Sequence, residues 1–161
     1  MTAEPAAAGA DAAACAATAE TALDTAASCA PAPAAECGFA GAWGGGGGPG
    51  AQRFYVSSYF WDRAAAIGVI PTGAIDAVVT PGAFSAAAAK ACPGTGVFPG
   101  APTAGDDAAL FCLDLSYCGA LLTTGFGLAE SSKVTLVKQV RYNGAPVEAA
   151  WPLGAAVDAL G

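Results

Sequence analysis

The stretch AALFCLDLSYCGALLTT, residues 108–124, is the strongest helix signal in this 161-residue chain and the one that most constrains its fold. Asp106 and Asp107 precede it as capping residues, and Gly125 marks its end. It also supplies several of the few large side chains available for a core, because the 55% hydrophobic content of the chain is mostly Ala. The residues that we expect in the core are Phe54, Tyr55, Tyr59, Phe60, Trp61, Phe111, Leu113, Leu115, Leu121, Leu122, Val134, Leu136 and Val140.

The segments before this helix carry three different signals. Residues 5–27 are rich in Ala, the best helix former, and predict a helix that Pro31 and Pro33 end. Residues 38–50 contain a run of glycines that no Lys-Ser or Lys-Thr follows, so we expect a flexible exposed loop and not a phosphate-binding one. Residues 52–61, QRFYVSSYFW, predict a strand or a strand-like start to a helix.

Short elements complete the pattern. The sequence DRAAAIG predicts a helix that Gly68 ends, and Thr80-Pro81 predicts the start of a helix that runs through Cys92. Residues 133–142, KVTLVKQVRY, predict a strand that turns at Asn143-Gly144 before a terminal helix. This order of helices and strands predicts a mixed α/β fold.

Charge and composition exclude several classes of function. The net charge is −7 with only six Lys and Arg residues, too few for a nucleic-acid surface or for an anionic membrane. The chain has no His, which excludes Ser-His-Asp and Cys-His catalysis and leaves oxygen-held hard cations as the expected metals. We find no run of about 18 uninterrupted apolar residues and no signal-peptide pattern at the start.

Six cysteines offer two candidate bridges, but their spacing alone does not decide between bridges and buried free thiols. Cys29 and Cys37 flank a Pro-containing loop without the spacing of a zinc or redox motif. Cys92 and Cys112 lie on successive predicted helices, and a bridge there contributes about 3 kcal/mol in the chain-entropy model.

An ordered series of segments resembles the apyrases, or nucleoside triphosphate diphosphohydrolases. Cys15, a short helix and Cys29 come first, followed by CGFAGAWGGGG from Cys37 and the aromatic FYVSSYFWDRAAAIG. Cys92, FCLDLSYCGALLTTGFGL and VKQVRYNGAPVEAAWPLG follow in the same order as in that family. The resemblance extends from about Cys15 to the C-terminus.

The resemblance implies a fold and a cellular setting. The fold is the actin-like one, in which two RNase-H-like lobes enclose a nucleotide, and this helix-rich chain supplies the later part of the second lobe and a C-terminal helix. The implied disulfides are Cys29–Cys37 and Cys92–Cys112, in a protein that matures in the secretory pathway. Cys15 is expected to pair with a cysteine upstream of the chain, and Cys118 to be a buried free thiol.

The resemblance also implies a site. Family members hydrolyse nucleoside tri- or diphosphates with Ca²⁺ or Mg²⁺, a Glu that activates water, and Gly-rich phosphate loops. Trp151 and Gly154 match the last signature region, with Trp151 beside the cation, and Trp61 or Asp62 falls at the position that contacts the base. The Asp-x-Gly-Ser, Glu-Gly and Asp-x-Gly-Gly patterns of the phosphate loops and catalytic Glu do not occur here, so we expect no catalytic residue in this chain.

These expectations divide the chain into three parts of one lobe. Residues 1–37 form an Ala-rich helix and cysteine loop, residues 38–50 a Gly-rich loop, and residues 51–161 the main α/β part. Asp62 and Arg63 are expected to form a surface ion pair. Two alternatives remain: a non-catalytic nucleotide-binding or scaffold remnant of the same family, and a disulfide-stapled domain unrelated to nucleotides.

Overall fold

A computed structural model describes residues 10–29, 37–42 and 53–147 and shows the mixed α/β arrangement that the sequence predicts. These ranges contain four α-helices, a π-helical turn and five short strands. The elements are α1 (Ala12–Leu23), β1 (Phe54–Ser57), α2 (Tyr59–Ala66), β2 (Asp76–Val79), α3 (Pro81–Ala91), α4 (Gly105–Ala120), a π-helical turn (Leu121–Gly125), β3 (Val134–Val137), β4 (Val140–Tyr142) and β5 (Ala145–Val147).

The first helix is shorter than the predicted 5–27, of which residues 5–9 lie outside the described ranges. It begins after Asp11, whose carboxylate accepts a hydrogen bond from the Ala13 N–H at 2.9 Å. It ends at Asp24, which adopts a left-handed conformation with φ of 41°. Helix propensity favoured a longer element, but this backbone reversal stops it.

Three strands form a small sheet in the order β1-β3-β2. β3 is parallel to β1, with Phe54 opposite Val134, and antiparallel to β2, with Val79 opposite the same Val134. The predicted strand over 133–142 is divided in two, and its second part pairs with β5 across the predicted turn at Asn143-Gly144. The strand β2 was not predicted from the sequence.

The central helix α4 packs against both α1 and α3. It starts one residue before Asp106, so the two acids occupy its first turn and interact with the helix dipole instead of capping it. The helix continues as a π-helical turn that ends at Gly125, as predicted. Cys92 and Cys112 bond α3 to α4.

The described residues contain one helix that is long and apolar enough, by length and composition, to cross a membrane: Gly105–Gly125. Half of its apolar window is buried inside the fold. It also carries Asp114, which contacts Arg63 of α2. These are the properties of a core helix.

The core lies between the helices and one face of the sheet. Most of the expected residues are buried there, and the largest fully buried side chains are Phe84, Leu115, Leu122, Leu136, Val134, Pro81 and Cys118. Phe54 and Tyr59 are partly buried and pack against this core. Two expectations were wrong: Leu113 is partly buried but does not belong to this core, and Tyr55 is 62% exposed, because alternate residues of β1 face opposite sides of the sheet. Val140 lies in β4, outside this core's sheet.

The opposite face of the sheet lacks a cover among the described residues. Tyr55 and Val78 stand in register with Thr135 between them, and Val78 is 61% exposed. Large apolar side chains such as those of Tyr55 and Val78 normally pack against another layer of the fold. The sheet therefore has one buried face and one open face, on which Tyr55 and Val78 lie beside the exposed polar residues Ser57 and Asp76.

Candidate functional site

The carboxyl edge of the sheet is the candidate site. Because β1 and β3 are parallel, Ser57 and Val137 end their strands at the same edge, where Asp76 begins β2. The Lys138 N–H donates to the Ile75 carbonyl at 2.9 Å and closes this end of the sheet. In open α/β sheets, ligands bind outside the carboxyl ends of the strands.

A strained turn carries the chain from this edge into α2. Ser58 has φ of 59° and ψ of −122°, a conformation that favours glycine. Its carbonyl accepts hydrogen bonds from the N–H groups of Trp61 at 2.8 Å and Asp62 at 3.2 Å. Such a residue costs about 1–3 kcal/mol, and strain of this size clusters at functional sites. The turn places the first residues of α2 directly after the end of β1.

Trp61 and Asp62, the two predicted base contacts, occupy opposite environments in α2. Trp61 is 7% exposed and belongs to the core, so its indole has no free face on which a base could stack. Asp62 is exposed in the first turn of the helix. Of the two, only Asp62 is within reach of a ligand in this structure.

A polar cluster of Tyr59, Arg63 and Asp114 fixes α2 against α4. Arg63 Nε lies 3.2 Å from Asp114 Oδ2, with each side chain 18% exposed, and the guanidinium carbon lies 4.9 Å from the centroid of the Tyr59 ring. The predicted ion pair with Asp62 is therefore wrong, because Arg63 turns to the partly buried carboxylate of Asp114. Arg63 Nε has no aligned hydrogen-bond acceptor among the described residues, so the pair is held by charge.

The surroundings of this cluster raise the pKa of two groups, the Tyr59 phenol and the Cys118 thiol. Burial, with the hydrogen bond to Asp114, raises the pKa of Tyr59 far above its ordinary value. Burial also raises the pKa of the Cys118 thiol to about 12. Cys118 is free and fully buried, as expected. Both shifts favour the neutral form of these groups at physiological pH.

Both predicted disulfides have bonded sulfurs in the structure. Cys29–Cys37 and Cys92–Cys112 each have an S–S distance of 2.04 Å. Cys15 on α1 is partly exposed and has no bonded sulfur among the described residues, so its pairing with an upstream cysteine stays a prediction.

The described residues bring no cluster of carboxylates together that would hold a hard cation. The one group of three or more His, Cys, Asp or Glu ligand atoms found close together in these ranges is Cys15, Cys92 and Cys112, all sulfur. Trp151 and Gly154 lie outside the described residues. The described chain ends with β5 at Val147, four residues before Trp151.

Sequence reasoning missed Ser58 and Asp114. The conformation of Ser58 leaves no composition signal. Asp114 did give one, because a carboxylate among the apolar residues of FCLDLSYC needs a buried partner. The partner was not identifiable without the packing of α2 on α4.

Comparison with known proteins confirms the family resemblance that the sequence shows. The model of the GDA1/CD39 (nucleoside phosphatase) family matches residues 3–160. Similar proteins include "Probable apyrase 2" of Oryza sativa subsp. japonica, 42% identical over 76% of this chain and 27% of that protein. "Apyrase" of Solanum tuberosum is 38% identical over 76% of this chain and 28% of its own length.

A relative from an animal matches over a shorter stretch. "Ectonucleoside triphosphate diphosphohydrolase 5" of Mus musculus is 35% identical over 65% of this chain and 22% of its own length. The chain thus spans about a quarter of the length of the relatives that it matches. Since the family model covers nearly every residue, the chain belongs to the GDA1/CD39 (nucleoside phosphatase) family.

Proposed function

We propose that these residues form the C-terminal part of the second lobe of a nucleoside tri- or diphosphate hydrolase. The observation that carries the proposal is the family match over residues 3–160 together with coverage of about a quarter of each relative. The mixed α/β fold is consistent with a piece of the actin-like lobe. Phosphate loops and the Glu that activates water then come from residues outside these 161.

The open face of the sheet supports a partner lobe. Tyr55 and Val78 are more than half exposed on a sheet face that a complete α/β layer would bury. The remaining polypeptide of the same protein is the proposed cover, because this chain accounts for so small a share of its relatives. Contact on this face leaves the carboxyl edge free to face the nucleotide.

Trp151, Gly154 and Asp62 are the residues that we propose for the site. Trp151 would lie beside the Ca²⁺ or Mg²⁺ and order its water, while Gly154 lets the backbone approach closely. Asp62, exposed after the Ser58 turn, would approach the base or ribose. The cation would offset charge on the phosphate chain, and the described residues offer it no direct ligand set.

A secretory or extracellular setting is the proposed location. Two disulfides within the described residues support it, because such bonds persist in oxidising compartments.

The alternative is a non-catalytic nucleotide-binding or scaffold protein of the same family. The 161 residues contain none of the Asp-x-Gly-Ser, Glu-Gly and Asp-x-Gly-Gly patterns, which agrees with either proposal. The genomic sequence upstream of Met1 discriminates the two, because the hydrolase needs those patterns in frame.

Phosphate release by the purified chain tests the assignment of the chemistry. With ATP or ADP and either Ca²⁺ or Mg²⁺, we expect no release above that of a blank without protein. Robust turnover would overturn the proposal that catalytic residues lie elsewhere. Where nucleotide binding is measured directly, Trp61→Phe is a suitable control, because the buried indole of Trp61 should not contribute to binding.

A further inference from the structure

Asp114 of α4 contacts α2 at two points that lie one helical turn apart. Its Oδ2 atom is 3.2 Å from Arg63 Nε, and a hydrogen bond joins the Tyr59 hydroxyl to the same carboxylate. Tyr59 and Arg63 are four residues apart, so they lie on one face of α2, with the guanidinium carbon 4.9 Å from the centroid of the Tyr59 ring. One carboxylate on α4 therefore holds the first turn of α2 at both ends.

The first turn of α2 begins at a backbone position that needs support. It follows Ser58, whose φ of 59° favours glycine, and a strained residue persists only where the surrounding structure fixes it. On one side of Ser58, β1 is paired with β3, and on the other side Tyr59 is the first residue of α2. The contacts of Asp114 with α2 therefore help to set the direction in which the helix leaves the carboxyl edge of the sheet.

The same contacts determine the surroundings of Asp62. Asp62 is exposed, whereas the preceding Trp61 is buried in the core. Arg63 is the nearest cation in the sequence, but its guanidinium is engaged with Asp114 on α4. Asp62 therefore has no ion-pair partner within the described part of the chain, and its carboxylate can accept hydrogen bonds from a ligand.

We propose that Asp114 is a positioning residue for the base or ribose of the nucleotide, and that it acts on Asp62 through the first turn of α2. This role rests on the proposed function, in which Asp62 approaches that part of the substrate. A carboxylate of this kind accepts hydrogen bonds from ribose hydroxyls. Asp114 itself is partly buried against α2 and acts without touching the nucleotide. Since the phosphate loops are assigned to residues outside these 161, loss of Asp114 weakens binding of the nucleoside and not of the phosphate chain.

A chimera of the potato apyrase tests this role within a complete protein. The stretch of that protein that matches this chain is replaced by the corresponding residues of this chain. Two constants are compared in the presence of Ca²⁺: the KM for ATP, and the inhibition constant of inorganic tripolyphosphate, which has a phosphate chain but neither base nor ribose. A general structural defect changes both constants or lowers kcat, whereas a positioning defect changes only the KM for ATP.

We expect Asp114→Asn to raise the KM for ATP at least fivefold, with kcat and the tripolyphosphate constant within twofold of the unsubstituted chimera. Tyr59→Phe, which removes only the hydroxyl, should raise this KM at least twofold, and it carries the test if circular dichroism shows that Asp114→Asn does not fold. Asp62→Ala should also raise the KM, and Asp114→Asn added to it should raise the KM less than twofold further. Glu130→Gln is the matched control, because this exposed carboxylate precedes β3 at the opposite edge of the sheet and should leave all three constants unchanged.

Equal changes in the ATP and tripolyphosphate constants would overturn this inference, as would an unchanged KM in the folded variants. Independent effects of Asp62→Ala and Asp114→Asn would also overturn it, because Asp114 would then not act through Asp62. An unsubstituted chimera that folds but releases no phosphate would instead overturn the proposed function, and the role of Asp114 with it. The failure of the positioning role is thus distinguishable from the failure of the proposed function.

Discussion

The contact between Arg63 and Asp114 gives the sharpest prediction about how the candidate edge is held. The two groups are 3.2 Å apart and 18% exposed, so water screens them only in part. Coulomb attraction at about 4 Å is worth about 4 kcal/mol at an effective dielectric constant near 20, and desolvation cancels much of it. We expect a net coupling of about 1–2 kcal/mol in a double-mutant cycle.

Two substitutions that keep side-chain size define the cycle. Asp114→Asn leaves the Arg63 charge without its carboxylate and is expected to cost about 2–3 kcal/mol. Arg63→Met keeps the apolar stem, removes the charge above the Tyr59 ring and is expected to cost about the same. The double variant should lose less than the sum of the two by the coupling energy.

Urea unfolding followed by circular dichroism measures all four free energies at pH 7. Asp62→Asn is the matched control: this exposed carboxylate on the same helix should change stability by less than about 0.5 kcal/mol. Single-variant losses that add within about 0.5 kcal/mol would refute the reasoning that the pair fixes α2 on α4.

Three further predictions concern the Cys118 thiol, the Ser58 turn and the open face of the sheet. The Cys118 thiol, whose pKa burial raises from 9.0 to about 12, is neutral in both the folded and the unfolded state below about pH 8. Above that, the unfolded chain loses the proton that the folded one keeps, so urea unfolding should show stability falling by roughly 1 kcal/mol per pH unit toward pH 10. An equally steep fall in Cys118→Ala would contradict this origin. Ser58→Gly should raise the free energy of unfolding by about 1 kcal/mol, because it relieves the left-handed strain, whereas Ser57→Gly in extended β1 should lower it. A lower free energy of unfolding in Ser58→Gly would contradict the inference that the Ser58 conformation is strained. Tyr55→Thr with Val78→Thr should reduce self-association in light scattering with little change in stability, and unchanged association would argue against an uncovered sheet face.

The accuracy of the sequence predictions follows from the range of the interactions involved. Local signals placed the start of α3 at Thr80-Pro81, ended α4 near Gly125 and located the Asn143-Gly144 turn, because proline and turn chemistry acts within a few residues. The strand β2 has only four residues and lies in a short segment between Pro71 and Pro81. Its pairing with β3 is the main interaction that stabilises it. Such an element has too little local signal to predict.

At the candidate site, too, local signals were predictable from the sequence and tertiary contacts were not. The position of Asp62 followed from family resemblance, but its exposure and the burial of Trp61 depend on which face of α2 meets the core. The Arg63–Asp114 contact joins residues on two helices that only tertiary packing brings together. The predicted roles of Trp151 and Gly154 stay predictions, since both lie outside the described residues.

A chimera of the potato apyrase tests the central claim most directly. The stretch of that protein that matches this chain is replaced by the corresponding residues of this chain, and phosphate release from ATP is measured with Ca²⁺. If these residues complete the second lobe of a nucleotide hydrolase, the chimera releases phosphate, and Trp151→Ala within it raises the Ca²⁺ concentration needed for half-maximal rate. A chimera that folds with the circular dichroism and melting temperature of its parent but releases no phosphate would contradict the account.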